Sequence, residues 1–376
     1  MKKIILLYAK FWGGHLSAAT AIKAYIDENF PWKYDVKLID FFSYLSKTLS
    51  KISINVYFES LKYFPRVYWK IYDSTNQWML SNIVKHGFNT LLFRMKSLLK
   101  KENPDIVISC HPYSSILCSR LKKRKNLNFS LGSIITDFAL HEFRIEWYEN
   151  IDYFFVSHDN MKKELIWRWV DSNKIYITWI PISNKYLWKF DKNEIKKSFW
   201  LSDGKKTILF FWWWEYGLAN KKVLNILKSF IDYWEWIQIV VVSWKNKKMK
   251  SKFENLVKET KSDDFVKVLA YTNQVPELMS ISDLIVTKPG WLTTTESLAS
   301  WLPMLLINPI PWQEVDNTKF LEKNNIWIYI DEDNCEEIID KLFSNDELLK
   351  KMWQKAKSIS KANATEEICK AIGLSK

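Results

Sequence analysis

The first segment whose residues suit catalysis is YAKFWGGHLSAATAI, residues 8–22. Gly13 and Gly14 follow an apolar strand pattern and precede a helical one, so they predict a tight turn that sets His15 at the start of a helix. A histidine in this position can act as a general base near neutral pH. The alternative is a histidine that only caps or packs against the turn. The glycine spacing differs from G-x-G-x-x-G, so a dinucleotide site is not indicated.

A second segment with chemical potential is VTKPGWLTTTESLASWLPMLLINPIPWQEVDN, residues 286–317. Gly290, Trp291 and the threonine run bring several backbone N–H groups to a helix start, where the helix dipole favours an anion such as a diphosphate. Thr293 and Glu296 also match the capping box T-x-x-E. One interpretation of Glu296 is therefore purely structural, as a cap of its own helix.

A third segment, TILFFWWWEYGLAN, raises a question about tryptophan itself, because Trp212–Trp214 stand in a turn from strand to helix. The chain has 21 Trp and 8 Gly, whereas a typical composition predicts about 26 Gly. Further tryptophans stand at strand ends or turns, where glycine has a mechanical role: Trp12, Trp179, Trp244, Trp291, Trp301 and Trp312.

We infer that many of these tryptophans are glycine in the living protein. A UGA codon that the organism decodes as glycine, translated here as tryptophan, would produce this pattern. The alternative is a genuinely tryptophan-rich protein. Trp78, Trp147 and Trp188 lie where the sequence makes no demand for glycine, and we expect them to be tryptophan.

The bulk composition indicates a soluble two-domain protein. The 376 residues are 48% hydrophobic and 26% charged, which is ordinary for soluble proteins. No run of about 18 apolar residues predicts a membrane span, and the start MKKIILLYAK predicts a buried strand rather than a signal peptide. The four cysteines and five histidines form no metal-binding pattern, which favours free thiols in a reducing cytoplasm.

Basic and aromatic residues concentrate in residues 42–101, within a chain of net charge +13. This region has ten Lys or Arg but only Glu59 and Asp73 as acids. Basic and aromatic side chains on helices suit the surface of an anionic membrane. Two alternatives remain. The stripe Leu45, Leu49, Ile52 and Val56 can simply face the core, and nucleic acid can use the same charge, although no nucleic-acid motif accompanies it.

Short apolar runs alternate with helical patterns along the whole chain, which predicts parallel sheets covered by helices. We expect an α/β fold of two doubly wound Rossmann-like domains that meet near residues 178–186, with ligands at the carboxyl ends of the strands. The predicted strands are 3–9, 34–40, 105–110, 129–136, 151–157, 174–179, 206–212, 237–243, 265–270, 283–287, 303–307 and 326–330. The expected domains are residues 1–180, residues 181–358, and a terminal helix in 359–376 that packs back on the first domain.

These segments resemble the inverting GT-B glycosyltransferases of glycosyltransferase family 28, in particular the monogalactosyldiacylglycerol synthases and bacterial diacylglycerol glucosyltransferases. The resemblance covers nearly the whole chain, and segment 286–317 is its most specific part. It includes the glycine–histidine segment, PDIVISCHPYSS (104–115), TDFALH (136–141), YFFVSHDNMKKELIWRWV (153–170), ITWIPIS (177–183), FFWWWEYGL (210–218) and VVVSWKNKKM (240–249). The chain lacks the acidic residue that some relatives carry just before the glycines.

The resemblance implies two domains facing a central cleft and a role for each candidate residue. His15 would be the base, with Asp137 and His141 near the acceptor and Gly13 and Gly14 in its loop. Glu296 would bind the ribose hydroxyls of a UDP-sugar. The other implied donor-site residues are Trp212, Trp213, Trp214, Ser243, Gly290, Trp291, Thr293, Thr294, Gln313 and Glu314. Three glycines at 212–214 would let backbone N–H groups reach the phosphates.

The resemblance further implies hexose transfer from UDP-glucose or UDP-galactose to diacylglycerol with inversion, without a metal or other cofactor. The enzyme would be peripheral, on the cytoplasmic face of the membrane, with residues 42–101 on the anionic surface and no nucleic-acid partner. Alternatives are UDP-GlcNAc transfer to a lipid-linked peptidoglycan precursor and a catalytically inactive GT-B scaffold.

Overall fold

A computed structural model describes most of the chain. The chain divides into two compact units. The described residues are 1–10, 13–45, 82–123, 127–140, 148–212, 220–243, 245–307, 318, 321–322, 324–344 and 346–374. The first unit comprises Met1–Asn184 and Ala362–Lys376, and the second comprises Lys185–Lys361.

The first unit contains a six-stranded parallel sheet with strand order β2-β1-β3-β4-β5-β6. Its strands are β1 Lys2–Tyr8, β2 Tyr34–Asp40, β3 Ile106–Ser109, β4 Ser130–Ile134, β5 Tyr153–Val156 and β6 Ile175–Ile177. Its helices are α1 Gly13–Asn29, α2 Phe41–Leu45, α3 Asn82–Glu102, α4 Pro112–Lys123 and α5 Asp159–Trp167, and the terminal helix Ala364–Ala371 packs against α1.

The second unit contains another six-stranded parallel sheet, with order β12-β11-β10-β7-β8-β9. Its strands are β7 Lys206–Phe211, β8 Ile237–Val242, β9 Val266–Leu269, β10 Leu284–Thr287, β11 Met304–Leu306 and β12 Trp327–Tyr329. Its helices are α6 Lys192–Ser198, α7 Asn220–Ile231, α8 Lys247–Glu259, α9 Val275–Ile281, α10 Trp291–Ala299, α11 Cys335–Ser344 and α12 Asp346–Ile359. The terminal helix Ala364–Ala371, which belongs to the first unit, is numbered α13. All twelve predicted strands are present, shifted by no more than a few residues.

The strand order sets the place of a ligand in each unit. In the first unit the order reverses between β1 and β3, and in the second it reverses between β7 and β10. The connections at such a point leave in opposite directions and open a crevice at the carboxyl ends of the two strands. Because helices cover both faces, these strands are almost wholly buried, as the runs Ile4–Leu7, Ile208–Phe210 and Leu284–Val286 show, which explains their continuous apolar sequence.

Tryptophans occupy an unusual share of the left-handed backbone positions. Among the described residues, eight that are not glycine have positive φ, and five of these are tryptophan. They are Trp32, Trp169, Trp179, Trp200 and Trp301, with φ between 52° and 66°. A left-handed L-residue costs roughly 1–2 kcal/mol. Five would cost about 5–10 kcal/mol, against a typical net stability of about 5–15 kcal/mol.

The basic and aromatic region 42–101 is described at residues 42–45 and 82–101 only, so Leu49, Ile52 and Val56 lie outside the described residues. Leu45 is buried in the core of the first unit, as are Leu92, Met95 and Leu99 of α3. Of the stripe, only Leu45 is described, and it faces the core as that alternative expected. The opposite side of α3 is different, because Phe93, Lys96 and Lys100 are exposed there, at spacings that share one helix face.

Candidate functional sites at the two strand-order reversals

In the first unit, His15 lies at the reversal between β1 and β3. The helix α1 begins at Gly13, so Gly13 and Gly14 form its first turn rather than a loop before it. The His15 side chain is buried, and its Nδ1 lies 3.3 Å from the Thr136 hydroxyl oxygen. If Nδ1–H donates to that oxygen, Nε2 carries the lone pair that a general base uses. Thr136 is therefore a residue that contacts the His15 ring and can orient it.

His111, directly after β3, is a second histidine in this site. Its ring centre is 4.8 Å from that of His15, with the rings edge to face. The Tyr113 backbone N–H donates to His111 Nδ1 at 3.2 Å, so the proton of the neutral ring is on Nε2. The motif PDIVISCHPYSS contains His111, but only the strand order shows that it meets His15.

Aromatic side chains surround His111. The His111 ring is 5.2 Å from Phe41 and 5.6 Å from Phe42, and it stacks on Tyr113 at 5.4 Å. Burial raises the pKa of Tyr113, which keeps its hydroxyl neutral. An apolar wall beside a proton-accepting imidazole suits an acceptor that combines a hydroxyl with hydrocarbon.

Asp137 follows Thr136 and is also buried. Its backbone carbonyl accepts a hydrogen bond from the Ser157 hydroxyl at 2.9 Å, which fixes the loop after β4 to the end of β5. The structure thus brings Asp137 into the neighbourhood of His15 through Thr136. His141 lies outside the described residues.

In the second unit, the N-terminus of α10 lies at the reversal between β7 and β10. Gly290 is the N-cap, without a side-chain cap, and α10 begins at Trp291. The first-turn N–H groups of a helix lack intrahelical acceptors, so this end can hold an anion. Thr293 is buried, and Thr294 is fully buried with a hydroxyl that has no hydrogen-bond partner within the described part of the chain.

Lys288 is a donor-site candidate that the sequence motifs did not indicate. It is buried directly after β10, and its Nζ lies 5.7 Å from the ring centre of Trp212, which follows β7. The Trp212 indole is 1% exposed, and its N–H has no acceptor among the described residues. An indole thus fills the space beside a buried ammonium at the strand-order reversal. With glycine at 212 this space would be open beside a positive charge.

Glu296 does not cap its own helix, because Thr293 and Glu296 both lie inside α10 and the N-cap is Gly290. The capping-box interpretation is therefore wrong. The Glu296 carboxylate instead accepts a hydrogen bond from the Tyr186 hydroxyl. Glu296 keeps partial exposure, but the surrounding protein removes enough water to raise its pKa to about 7, and the Tyr186 bond opposes that rise.

Ser243 follows β8 and is buried, and it makes hydrogen bonds to the protein backbone. Its N–H and its hydroxyl both donate to the Leu269 carbonyl, at 3.0 Å and 2.9 Å. The structure therefore shows Ser243 joining β8 to β9, and contact with a nucleotide remains a prediction. Trp213, Trp214, Gln313 and Glu314 lie outside the described residues. Within the described ranges, no cluster of three or more His, Cys, Asp or Glu could hold a metal ion.

Two family models match these two halves of the chain. Residues 15–182 match the monogalactosyldiacylglycerol (MGDG) synthase model, and residues 219–371 match the glycosyltransferase family 28 C-terminal domain. The chain therefore carries a first domain of the MGDG synthase type and a second domain of the glycosyltransferase family 28 C-terminal type. The first match contains His15, His111 and Thr136 of this transferase, and the second contains Lys288 and Glu296. The family resemblance of the motifs is confirmed.

Curated relatives match the transferase over nearly its full length. A processive diacylglycerol beta-glucosyltransferase of Staphylococcus epidermidis ATCC 12228 is 29% identical, covering 98% of this chain and 92% of the relative. The protein with the same description from Bacillus subtilis 168 is 28% identical, covering 99% of this chain and 94% of the relative.

Solved structures confirm the predicted two-domain GT-B type of fold. Acinetobacter baumannii MurG has a TM-score of 0.64 at 14% identity, covering 98% of each chain. The Staphylococcus aureus MnaA–UDP complex has a TM-score of 0.63 at 14% identity, covering 99% of this chain and 96% of the other. In the part of the transferase that the structure describes, none of the helices has the length and hydropathy to cross a membrane.

Proposed function

We propose that this transferase moves a glucosyl group from UDP-glucose to the 3-hydroxyl of diacylglycerol, with inversion. The observation that carries the proposal is the full-length similarity to processive diacylglycerol beta-glucosyltransferases. Displacement with inversion at the α-linked sugar of UDP-glucose gives a β-glucoside, which agrees with the linkage in the relatives' description.

The first unit supplies the groups that an acceptor hydroxyl needs. His15 takes the proton of the 3-hydroxyl as its oxygen forms a bond to sugar C1, and Thr136 holds the imidazole by Nδ1. The bond between C1 and the UDP oxygen breaks, and its electron pair leaves with UDP. Phe41, Phe42 and Tyr113 offer apolar contact to the glycerol and the first acyl carbons.

The second unit supplies groups that stabilise the leaving UDP. Lys288 is a buried cation, and the α10 N-terminus adds backbone donors and a positive dipole end. Glu296 accepts hydrogen bonds from the ribose hydroxyls, as an ionised carboxylate can. We infer glycine at Trp212, because glycine leaves room for the diphosphate beside Lys288. We expect this set to work without a metal or other cofactor.

Contact with an anionic membrane on its cytoplasmic side is supported by α3. Its exposed face carries Phe93, Lys96 and Lys100, a combination of an apolar ring and positive charges that suits an anionic lipid surface. Surface contact of this kind would bring diacylglycerol within reach of a protein that has no described spanning helix.

The test is a transfer assay that pairs labelled UDP-glucose, UDP-galactose or UDP-GlcNAc with vesicles of diacylglycerol or of a lipid-linked peptidoglycan precursor. The lipid products are identified by mass spectrometry. We expect a β-glucosyl diacylglycerol from UDP-glucose. Transfer from UDP-GlcNAc to a lipid-linked peptidoglycan precursor, with no diacylglycerol product, would replace the proposal with that acceptor. Binding of UDP-glucose without any turnover would indicate an inactive scaffold.

A further inference from the structure

His111 is a buried histidine to which the proposed function gives no role. It follows β3, and its side chain is 1% exposed. Its ring centre lies 4.8 Å from that of His15, with the two rings edge to face at 64°. The base of the proposed reaction therefore contacts both the Thr136 hydroxyl, through Nδ1, and the His111 ring.

The main chain of His111 is fixed by buried serine side chains. Its carbonyl oxygen lies 2.8 Å from the hydroxyl oxygen of Ser109, 3.0 Å from that of Ser114 and 3.3 Å from that of Ser115. The Ser115 hydroxyl is in turn 2.8 Å from that of Ser133 on β4. Hydroxyl groups from β3, α4 and β4 thus converge on one peptide group. A satisfied buried network of this kind rigidifies its surroundings, so the His111 backbone has a fixed place at the end of the sheet.

The ring of His111 is fixed as well. The backbone N–H of Tyr113, in the first turn of α4, donates to His111 Nδ1 at 3.2 Å. The Tyr113 ring stacks on the imidazole at 5.4 Å, and the Phe41 ring lies 5.2 Å away. A ring that is held by a hydrogen bond and by aromatic contacts keeps one orientation. It presents His15 with a rigid surface.

The His15 imidazole needs such a surface because a base must aim its lone pair at the acceptor hydroxyl. A misplacement of about 1 Å can lower a rate about a hundredfold. The 3.3 Å contact with Thr136 restrains one ring atom, Nδ1, and leaves the ring free to tilt about that point. Contact with the His111 ring restrains the plane of the imidazole, so the two contacts together define where Nε2 lies.

We propose that His111 is a positioning residue for the base. Its ring packs against the His15 imidazole and, together with Thr136, holds Nε2 toward the acceptor hydroxyl. The inference rests on the proposed function, because it takes His15 as the base. It gives a role to the segment PDIVISCHPYSS, whose serines and Tyr113 fix His111.

The test compares two substitutions that divide the contacts of His111. His111→Asn places an amide oxygen near the position of Nδ1, so it keeps an acceptor for the Tyr113 N–H but removes the ring from His15. In transfer from UDP-glucose to diacylglycerol vesicles, we expect it to lower kcat about three- to tenfold, the contribution of an aromatic contact. The KM for UDP-glucose should not change, because His111 and the donor-site candidates belong to different units.

His111→Phe is the matched variant, because it keeps a flat ring beside His15 but removes the acceptor of the Tyr113 N–H. We expect it to retain most of kcat and to lower the melting temperature instead, since a buried N–H loses its partner. A merely structural role of His111 predicts the reverse order, with His111→Phe the more damaged enzyme.

A double-substitution cycle shows whether His111 acts through His15. The His15→Ala background has no imidazole to position, so His111→Asn should change its residual rate by less than about twofold. The same three- to tenfold loss in both backgrounds would contradict the inference.

Nitrogen-15 spectra of the histidine rings give a readout that needs no turnover. The chain has five histidines, and His15→Ala assigns the His15 signals by their loss. We expect wild-type His15 to be protonated at Nδ1, the tautomer that donates to Thr136 and leaves the lone pair on Nε2. In His111→Asn the loosened ring should exchange between both tautomers, whereas in His111→Phe it should keep the wild-type one.

The outcomes separate this inference from the proposed function. If the wild type transfers no sugar, the proposed function fails, and the spectra still show whether His111 fixes the His15 ring. Equal losses of kcat in His111→Asn and His111→Phe, or unchanged His15 signals in His111→Asn, would overturn the positioning role. If neither variant folds, the wild-type spectrum decides, because His15 protonated at Nε2 is incompatible with the proposed orientation.

Discussion

Trp301 and Gly373 occupy the same position in the same helix-ending motif. Each follows the helix C-cap with positive φ, 57° for Trp301 and 76° for Gly373. The Trp301 N–H donates to the Leu298 carbonyl and the Gly373 N–H to the Lys370 carbonyl, both at 3.0 Å. In both cases the N–H of the following residue donates to the carbonyl five residues before it: Leu302 to Ser297, and Leu374 to Cys369. This is the Schellman motif, whose left-handed residue is usually glycine. Trp169 and Trp200 end α5 and α6 in the same way.

We therefore predict glycine at Trp169, Trp200 and Trp301 in the native protein. The tryptic peptide of residues 198–205 contains Trp200, and mass spectrometry of protein from the organism should find it lighter by the difference between tryptophan and glycine. Peptide 186–189 contains Trp188, whose φ is not positive and whose ring lies 5.8 Å from Lys185 Nζ. It should carry tryptophan. Tryptophan in both peptides would contradict the prediction.

A stability measurement gives an independent check. In recombinant protein, Trp200→Gly should raise the free energy of unfolding by about 1 kcal/mol, because it relieves a left-handed L-residue. The indole is 82% exposed, so little packing is lost. Trp188→Gly is the control, and it should not stabilise the chain, because it removes ring contacts and adds backbone freedom. Denaturant titration measures both, and equal effects would argue against strain at Trp200.

The sequence predicted the strands of this fold well but only part of the sites. Continuous apolar runs mark buried parallel strands such as β7 and β8, because both faces are covered. Helix ends were less visible, since a tryptophan at 169 or 200 hides the glycine that normally signals a helix stop. The motifs identified His15 and Glu296, whereas their partners Thr136 and Tyr186 are distant in sequence, and only packing brings them into contact.

His15→Ala should lower turnover by roughly 10²–10⁴-fold, the usual contribution of a general base. UDP-glucose affinity should not change, because His15 belongs to the other unit from the donor-site candidates. Thr136→Val should lower turnover less than His15→Ala does, by about tenfold, since it removes only the hydroxyl oxygen that contacts His15 Nδ1. Thr136→Ser keeps that oxygen and serves as the control. Full turnover by His15→Ala would rule out the base role.

Lys288→Met should weaken UDP-glucose binding by about ten- to a hundredfold, because a buried cation against a diphosphate contributes a few kcal/mol. Because Lys288 is buried, added salt should screen this attraction only weakly, and the loss should change little with ionic strength. Lys205→Met is the matched control: Lys205 also lies over aromatic rings, 5.3 Å from the Trp234 centre, but on an exposed surface. Equal affinities of Lys288→Met and the wild type in calorimetric titration would exclude diphosphate contact.

The exposed face of α3 should determine attachment to anionic lipid. Lys96→Glu combined with Lys100→Glu reverses two charges there, and each lysine near an anionic surface contributes about 1 kcal/mol. We expect co-sedimentation with anionic vesicles to fall at least about tenfold, while the weak binding to zwitterionic vesicles stays the same. Lys350→Glu combined with Lys355→Glu, on exposed positions of α12, makes the same charge change elsewhere. If this control loses as much binding, overall charge and not the α3 face governs attachment.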